Sequence, residues 1–486
     1  MSKITVVGLG PGDVDDLTRK AWRVLKNAST VYLRTAQHGC VACLPQSDTT
    51  YHSFDAVYET VETFEDVYAE IVQRLLEAAR SGDVVYAVPG DPLVGESTVL
   101  QLLNKAKAEG IEVEIVSGVS FVEPTLALVG VDAMNGLQLL DGLDIAAMHH
   151  PPINPDYPAL IGQVYSRDVA SNVKLTLMNQ YPDGFPVVLV HSAGTEEAVA
   201  EHLPLHQIDR SQHIQHTTAL YLPALGDKSS FEEFQEIIAH LRAPEGCPWD
   251  REQTHDSLRP FLLEEAYEVL EAIENDDPQH LAEELGDLLL QIVLHTQIAI
   301  DDGEFYMSDV VRHVNHKMIR RHPHVWGTVE VNGNSEKVVA NWDALKKQEQ
   351  AAKGERRESA LDGIPKALPA LKQAHEVQRK AAKVGFDWDN RADVKAKIAE
   401  EIAEIEDAQD DPDQMTKEMG DLLFSVVNWA RWLKIDPELA LRDANARFSR
   451  RFRYIEKALG AQGKSPTDST LSEMDTLWNE AKRQGL

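Results

Sequence analysis

Leu263-Glu-Glu-Ala-Tyr-Glu268, answered downstream by Glu283-Glu-Leu-Gly-Asp287, decides how the second half of the chain is read. Residues three or four apart share a helix face. Glu264, Glu265 and Glu268 therefore form one acidic patch, and Glu284 and Asp287 form another. Between them, Glu274-Asn-Asp-Asp-Pro278 reads as a turn in which Asp277 caps a helix and Pro278 takes its first position. Glu268 lies six residues before Glu274, and Glu284 six after Pro278. In an antiparallel hairpin both sit roughly 9 Å from the turn, at 1.5 Å rise per residue. The two patches face each other.

The arrangement recurs. Glu400-Glu-Ile-Ala-Glu404 is followed by Asp410-Asp-Pro412 and then by Glu418-Met-Gly-Asp421, with the same spacings. One acidic helix face is ordinarily solvated surface. Two matched hairpins, each pairing ExxE with ExxD, are harder to explain in that way. Like charges brought together repel unless a cation neutralises them, and carboxylate oxygens on rigid helices suit a hard divalent ion, Mg²⁺ foremost.

Composition sets the bounds. A length of 486 residues implies about three domains at roughly 150 residues each. Lys+Arg 47 against Asp+Glu 79 gives a formal charge of −32, which disfavours nonspecific nucleic-acid or anionic-membrane binding. Three cysteines fit a reducing cytoplasm rather than a disulfide scaffold. Cys40 and Cys43 make a single CxxC, which without a second ligand pair reads as two small residues in a loop. Met1-Ser-Lys-Ile4 runs straight into a strand-like segment, so no signal peptide is expected. No stretch reaches the roughly 18 apolar residues of a membrane span.

The first half has a different grammar. Ile4-Thr-Val-Val7 is a buried-strand pattern ending in Gly8-Leu-Gly-Pro-Gly-Asp13, and a helix follows from Asp16. Thr30–Arg34, Asp83–Val88 and Val113–Val116 read as further strands, with helices over Glu65–Ala79 and near Ser97–Ala108. Alternating strands and helices predict an α/β domain with a largely parallel sheet. Gly-rich turns at strand ends are where such sheets bind ligands, yet Gly8, Gly10 and Gly12 are spaced GxGxG, not as a dinucleotide fingerprint. GLGPGD, AVPGDP and SGVSF together resemble the tetrapyrrole methylase family over residues 1–223, with Pro186–Val190 and Thr217–Leu222 as second-lobe strands. The resemblance implies two α/β lobes, S-adenosylmethionine in the cleft between them, and Gly90, Asp91, Leu93, Ser120 and Phe121 near that cofactor. The segment His149–Pro155 is irregular and offers no base for methyl transfer.

Pro223–Ser230 has linker composition, and from Phe231 the pattern is helical. Gly246-Cys-Pro-Trp-Asp250 precedes the first acidic hairpin, and a helix near Ser308–Arg321 carries Asn315, Lys317, Arg320 and Arg321. Residues 327–363 are polar and charged, Asn332-Gly-Asn-Ser335 and Lys353-Gly-Glu-Arg-Arg357 included, and read as a connecting segment. Beyond it, Lys383-Val-Gly-Phe-Asp-Trp-Asp389 parallels the first Trp-Asp turn, and Asn445-Ala-Arg-Phe-Ser-Arg-Arg451 matches Asn315-His-Lys-Met-Ile-Arg-Arg321 position by position. An ordered set repeated at a period of about 130 residues is a duplicated helical domain, over 230–326 and 364–486, not a solenoid.

Acids on a hairpin with a basic helix are the inventory of phosphate-ester hydrolysis. Carboxylate-held metal bridges phosphate oxygens and acidifies a water. Arg and Lys offset phosphate charge, and Asn adds a directional hydrogen bond. Trp249 or Trp388 suits a base pocket, and Lys317, Arg321, Lys383 and Arg451 join the substrate-side candidates. GCPWDREQTH, LLEEAYEVLEAI, EELGDLLLQ, RRHPHVW, KVGFDWD and EMGDLLF strongly resemble the MazG family of all-α nucleoside triphosphate pyrophosphohydrolases, over about residues 230–460. The domain order resembles the YabN-type fusion. The resemblance implies cleavage between the α- and β-phosphates, giving a nucleoside monophosphate and pyrophosphate. It implies metal quartets Glu265, Glu268, Glu284, Asp287 and Glu401, Glu404, Glu418, Asp421, with Asn445 and Arg447 on phosphate. Family members often carry Lys at the position of Arg447, which alters that contact. Glu264 and Glu400, beside the quartets, are the candidates for activating water.

Two other readings stand beside this one: a working methyltransferase with a supporting helical half, and a binding module that regulates hydrolysis. The complete acid sets in both repeats favour hydrolysis. The uninterrupted basic helix of the second repeat, with Lys380 and Lys383 before Trp388, points to that repeat as the dominant site. Long apolar helix faces predict at least a homodimer.

Overall fold

Five short strands following βα connections make the first sheet of the computed structural model, which describes residues 3–45, 49–61, 63–352 and 359–486. The charged run at 353–357 lies outside the described residues. The strands β1 (Lys3–Gly8), β2 (Thr30–Leu33), β3 (Thr50–Ser53), β4 (Val84–Val88) and β5 (Glu112–Val116) pair in the order β3-β2-β4-β1-β5. Every pairing is parallel, with Ile4 opposite both Val84 and Val113. β1 and β4 are central and covered on both faces, hence their nearly unbroken apolar runs. Helices Phe64–Ala79 and Ser97–Glu109 bury Ile71, Leu75 and Leu102 against Tyr86, and helix Arg19–Asn27 covers the other face with Ala21 and Leu25.

The second sheet comprises β6 (Gln138–Asp141), β7 (Ala159–Gly162), β8 (Pro186–His191), β9 (Val199–Pro204) and β10 (Ala219–Leu222). Its order is β6-β7-β10-β8-β9. Only β6 and β7 are parallel; β10 runs against both neighbours and β9 against β8. The largely parallel pattern therefore belongs to the first lobe alone. Antiparallel neighbours need no helical crossover, so β8 passes to β9 through a short loop. Two sheet-based lobes, one parallel and one mixed, are followed by a wholly helical region.

The chain divides into two compact units, Met1–Arg312 and His313–Leu486, described here one at a time. The first continues past the sheets into helices Phe231–Arg242, Pro248–Glu252, Arg259–Glu274 and Pro278–Asp301; Ile238 of the first helix meets Val293, Leu294 and Ile298 of the last, with Leu258 from just before the third. Asp277 accepts from the backbone N–H of Gln279 and His280, both at 3.1 Å, and Pro278 opens the helix. The second unit contains helices Ser335–Ala352, Ala370–Lys383, Arg391–Asp407, Pro412–Trp432, Pro437–Gly460 and Leu471–Arg483. Asp411 caps its acidic hairpin as Asp277 caps the first. Helix Met307–Arg321 crosses the division between the units.

The segment read as a connector holds an 18-residue helix, Ser335–Ala352. Its Glu349 accepts from Arg320 at 3.0 Å and from Arg321 at 2.6 Å, a fork geometry that composition alone does not reveal. The three cysteines are free. Burial pushes the Cys40 thiol up to about 11, which makes it a packing residue rather than a nucleophile. Among the described residues no helix is long and apolar enough to cross a membrane.

Candidate metal centres and nucleotide pocket

Each acidic hairpin converges three carboxylates. Glu265, Glu268 and Glu284 offer oxygens that all lie within 4.8 Å of one another, and Glu401, Glu418 and Asp421 do the same. Asp287 stands outside the first trio, but its charge reaches it: the Glu265 carboxyl is held above its ordinary range by burial first, then by Asp287, Glu268 and Glu284. Glu404 stands outside the second trio and is likewise raised, by desolvation and then by Glu401, with Lys397 opposing and Glu418 and Glu400 adding to the rise. Glu264 and Glu400 are exposed, and Glu400 Oε1 lies 2.9 Å from Lys397 Nζ.

The two trios are held by matching donors. His280 Nε2 lies 2.8 Å from Glu284 Oε1, and Gln414, at the same place in its hairpin, donates to Glu418 Oε1. One oxygen in each trio is buried without a hydrogen-bond partner, Glu284 Oε2 in the first and Glu401 Oε2 in the second. Glu401 is only 3% exposed. A buried anionic oxygen without a donor is costly, and a cation among three carboxylates removes that cost. The donor set is all oxygen, which fits Mg²⁺.

A cavity of about 620 Å³ opens beside the second trio. Trp388, Phe386, Phe424 and Val394 supply apolar walls, and Glu401, Asp421, Lys397, Gln378, Asn428 and Arg431 the polar ones. Gln378 donates to the Phe424 carbonyl at 2.7 Å, and its own buried Oε1 has no partner. Arg431 is fixed between Asp387 and the Asn428 amide oxygen. An apolar slot with a few convergent polar groups and an acidic end suits a base with a metal-bound phosphate tail. Of these residues, Gln378, Lys397, Asn428 and Arg431 went unread in the sequence. Lys397 was legible in principle, because it stands one turn before Glu401.

The basic candidates are placed less uniformly. Trp388 lines the cavity, whereas Lys383 is exposed and is not among its lining residues. Asn445 and Arg447 are exposed on helix Pro437–Gly460. Arg451 donates to the Leu486 carbonyl at 2.7 Å and lies over the Trp478 ring at 5.3 Å, so its position is set by the final helix. Arg321 is committed to Glu349, while Asn315 is exposed and Lys317 half-buried. Trp249 meets Phe261 edge-on at 6.2 Å and is 53% exposed. Helical spacing groups residues on a face; it does not say what the face meets.

In the first sheet the glycine turns come together. Gly10 and Gly90 exchange hydrogen bonds at 3.2 and 2.7 Å, joining the turns after β1 and β4. A side chain at Gly8 would collide with Gly90 O at 2.5 Å and Gly118 N at 2.6 Å, so these three turns pack backbone to backbone. Gly90, at φ +65, has open space where a Cβ would go. Asp91 ties the turns, accepting from Leu93 N at 2.9 Å and Gly118 N at 3.1 Å. Ser120 is fixed to Glu123 at 2.6 Å, and Phe121 reaches the second sheet, filling the space over Gly162. All five expected cofactor residues thus sit at or beyond the carboxyl ends of β4 and β5.

Comparison with known proteins assigns both halves. A model of the tetrapyrrole (corrin/porphyrin) methylases matches residues 3–209, and one of the MazG nucleotide pyrophosphohydrolase domain matches 253–326 and 390–455. The chain is 43% identical to "Uncharacterized protein YabN" of Bacillus subtilis, across 99% of this chain and 98% of that one. It is 45% identical to the nucleoside triphosphate pyrophosphohydrolase/pyrophosphatase MazG of Thermotoga maritima, over 52% of this chain and 95% of the relative. With a nucleoside triphosphate pyrophosphohydrolase of Escherichia coli it shares 44% identity, over 51% of this chain and 96% of the relative. Two helical hairpins with convergent carboxylates, behind a two-sheet domain with meeting glycine turns, thus have their counterpart in known sequences: the chain belongs to the MazG nucleotide pyrophosphohydrolase family, with its MazG region carried behind a tetrapyrrole methylase domain.

Proposed function

We propose that the chain hydrolyses nucleoside triphosphates to nucleoside monophosphate and pyrophosphate, clearing unwanted nucleotides from a cytoplasmic pool. The observation that carries this reading is the second trio of carboxylates, with its buried unpartnered oxygen, opening onto an aromatic cavity. Water adds its oxygen to the α-phosphorus, the α–β bridging bond breaks, and pyrophosphate leaves. Glu265, Glu268, Glu284 and Asp287, and equally Glu401, Glu404, Glu418 and Asp421, would hold Mg²⁺, which when bound neutralises phosphate charge and acidifies water. Trp388 stacks on the base and Gln378 Oε1 takes a base N–H. Asn445 and Arg447 meet the phosphates from the basic helix, and Glu400 or Glu264 accepts the proton of the attacking water. The domain limits that go with this reading are 1–223, 230–326 and 364–486.

Incubating the full chain with a set of triphosphates and Mg²⁺ tests the proposal directly. Pyrophosphate release that stops with EDTA and returns with Mg²⁺ is the expected result. Orthophosphate as the sole product, or turnover without metal, would overturn it. The methylase half has a reading of its own: Gly90, Asp91, Leu93, Ser120 and Phe121 would take S-adenosylmethionine, a reading supported by the open space at Gly90 next to Asp91. Calorimetry with the cofactor and its demethylated product should register binding; no heat up to millimolar ligand excludes it. The alternative, active methyl transfer, has no assigned acceptor site or base to support it.

A further inference from the structure

The two metal centres are not equivalent. In the second, Lys397 Nζ lies 2.7 Å from Glu401 Oε1 and 2.9 Å from Glu400 Oε1. Lys397 stands four residues before Glu401, so both share one helix face. Glu401 is the acid buried most completely, and Lys397 lines the same cavity as Glu401 and Asp421. At the corresponding place in the first repeat, four residues before Glu265, stands Phe261. Its ring packs edge-on to Trp249 and supplies no charge. The acids are matched between repeats; the lysine is not, and the basic group of the first trio is the His280 imidazole, 2.8 Å from Glu284 and charged only when protonated.

We propose that Lys397 is a built-in counter-ion that competes with a divalent cation for Glu401, so that without nucleotide the first centre binds metal tightly and the second weakly. This rests on the carboxylate trios being metal centres, as argued above. A divalent ion entering the second trio must share Glu401 with an ammonium already 2.7 Å away, and like charges at that range oppose each other. Opposite charge within 4–6 Å changes the proton affinity of a carboxylate by about 1–3 decades, and a divalent cation feels the same sign of effect. Glu401 keeps one oxygen, Oε2, without a partner, so Lys397 compensates the buried acid only in part. The second centre therefore still needs a cation, but fills only when Lys397 finds another anion. A phosphate in the adjoining cavity is that anion. Metal and triphosphate would enter the second centre together, whereas the first is loaded by metal alone.

The test needs no turnover. Mn²⁺ alone is titrated into the full chain and its loss from solution is followed by electron paramagnetic resonance. One background carries Glu265→Gln with Glu268→Gln, leaving the second centre; the other carries Glu401→Gln with Glu418→Gln, leaving the first. The first centre should bind at least about tenfold more tightly than the second. Lys397→Met should tighten the second by about tenfold, and Lys397→Arg, which keeps the charge, should leave it weak. Phe261→Lys, which places the ammonium in the first repeat, should loosen the first by a similar factor. That last variant alters an exposed position, so it stays decisive if Lys397→Met fails to fold. Equal affinities at the two centres, or a Phe261→Lys centre that binds as before, would overturn the proposal. Two centres that bind no Mn²⁺ at all would overturn it together with the metal reading beneath it.

Discussion

At the scale of single residues, Glu268 and Glu404 stand three residues beyond Glu265 and Glu401 on their helices. The ExxE and ExxD spacings put Glu265, Glu268 and Glu284 on facing helix sides, and the trio lies within 4.8 Å. The same reading could not tell that Arg321 would be held by Glu349, or Arg451 by the Leu486 carbonyl, because those partners lie 28 and 35 residues further along the chain. Lys397 does reach the second trio, at 2.7 Å from Glu401, but a single lysine within a run of acids reads as ordinary helix-surface charge. Replacing one acid in each repeat ranks the sites. With its cavity and Trp388, the second should dominate, so Glu404→Ala should lower kcat/KM by about 100-fold or more, on the scale of lost metal-site residues. Glu268→Ala should change it by less than about threefold on that scale. Pyrophosphate release measured for both variants checks this, and loss of turnover in Glu268→Ala alone would reverse the order.

At the scale of elements, strands flanked by glycine turns and helices with strong caps were legible, and short strands without such punctuation were not. β1 and β4 were readable as unbroken apolar runs; β7, four fully buried residues after a proline, gives too little periodicity to separate strand from loop. Helix Ser335–Ala352 was missed because its surroundings are polar and its apolar face is thin. Its anchoring depends on Glu349, whose carboxyl the paired Arg321 and Arg320 guanidiniums hold down at about 2, against an ordinary 4.5. A depressed folded-state pKa adds stability that is complete above about 4.5 and is lost as pH falls toward 2. Glu349→Gln should therefore lower the stability of this helix at pH 7 by about 2 kcal/mol, the scale of charge-assisted hydrogen bonds. It should also flatten the fall in stability between pH 5 and about pH 3. Thermal melts across that range decide it, and an unchanged acid slope would mean that the fork does not hold the helix.

At the scale of the whole molecule, matching apolar stripes stay exposed on both hairpins among the described residues. Leu285, Leu289 and Ile292 are 49%, 37% and 43% exposed on the first hairpin's second helix. Met419, Leu423 and Val426, at matching distances from Glu418, are 45%, 52% and 45% exposed on the second. Positions i, i+4 and i+7 form one stripe along a helix, and the same stripe in both repeats is a surface kept for helix packing rather than scattered exposure. Each hairpin is thin on its other side too, with Ile273 and Ile402 at 55% and 46%. A hairpin with two such faces has more apolar area than its own repeat covers, and pairing of hairpins between copies would bury it. We therefore expect at least a dimer, with a mass by light scattering of twice 54.1 kDa or more at micromolar concentration. Leu423→Glu puts a charge in the middle of one stripe and Leu289→Glu does so in the other. Either should shift the mass toward that of the single chain while the circular dichroism of the helices is kept. A wild-type chain that scatters as a monomer throughout the micromolar range would mean that the stripes are covered within one molecule.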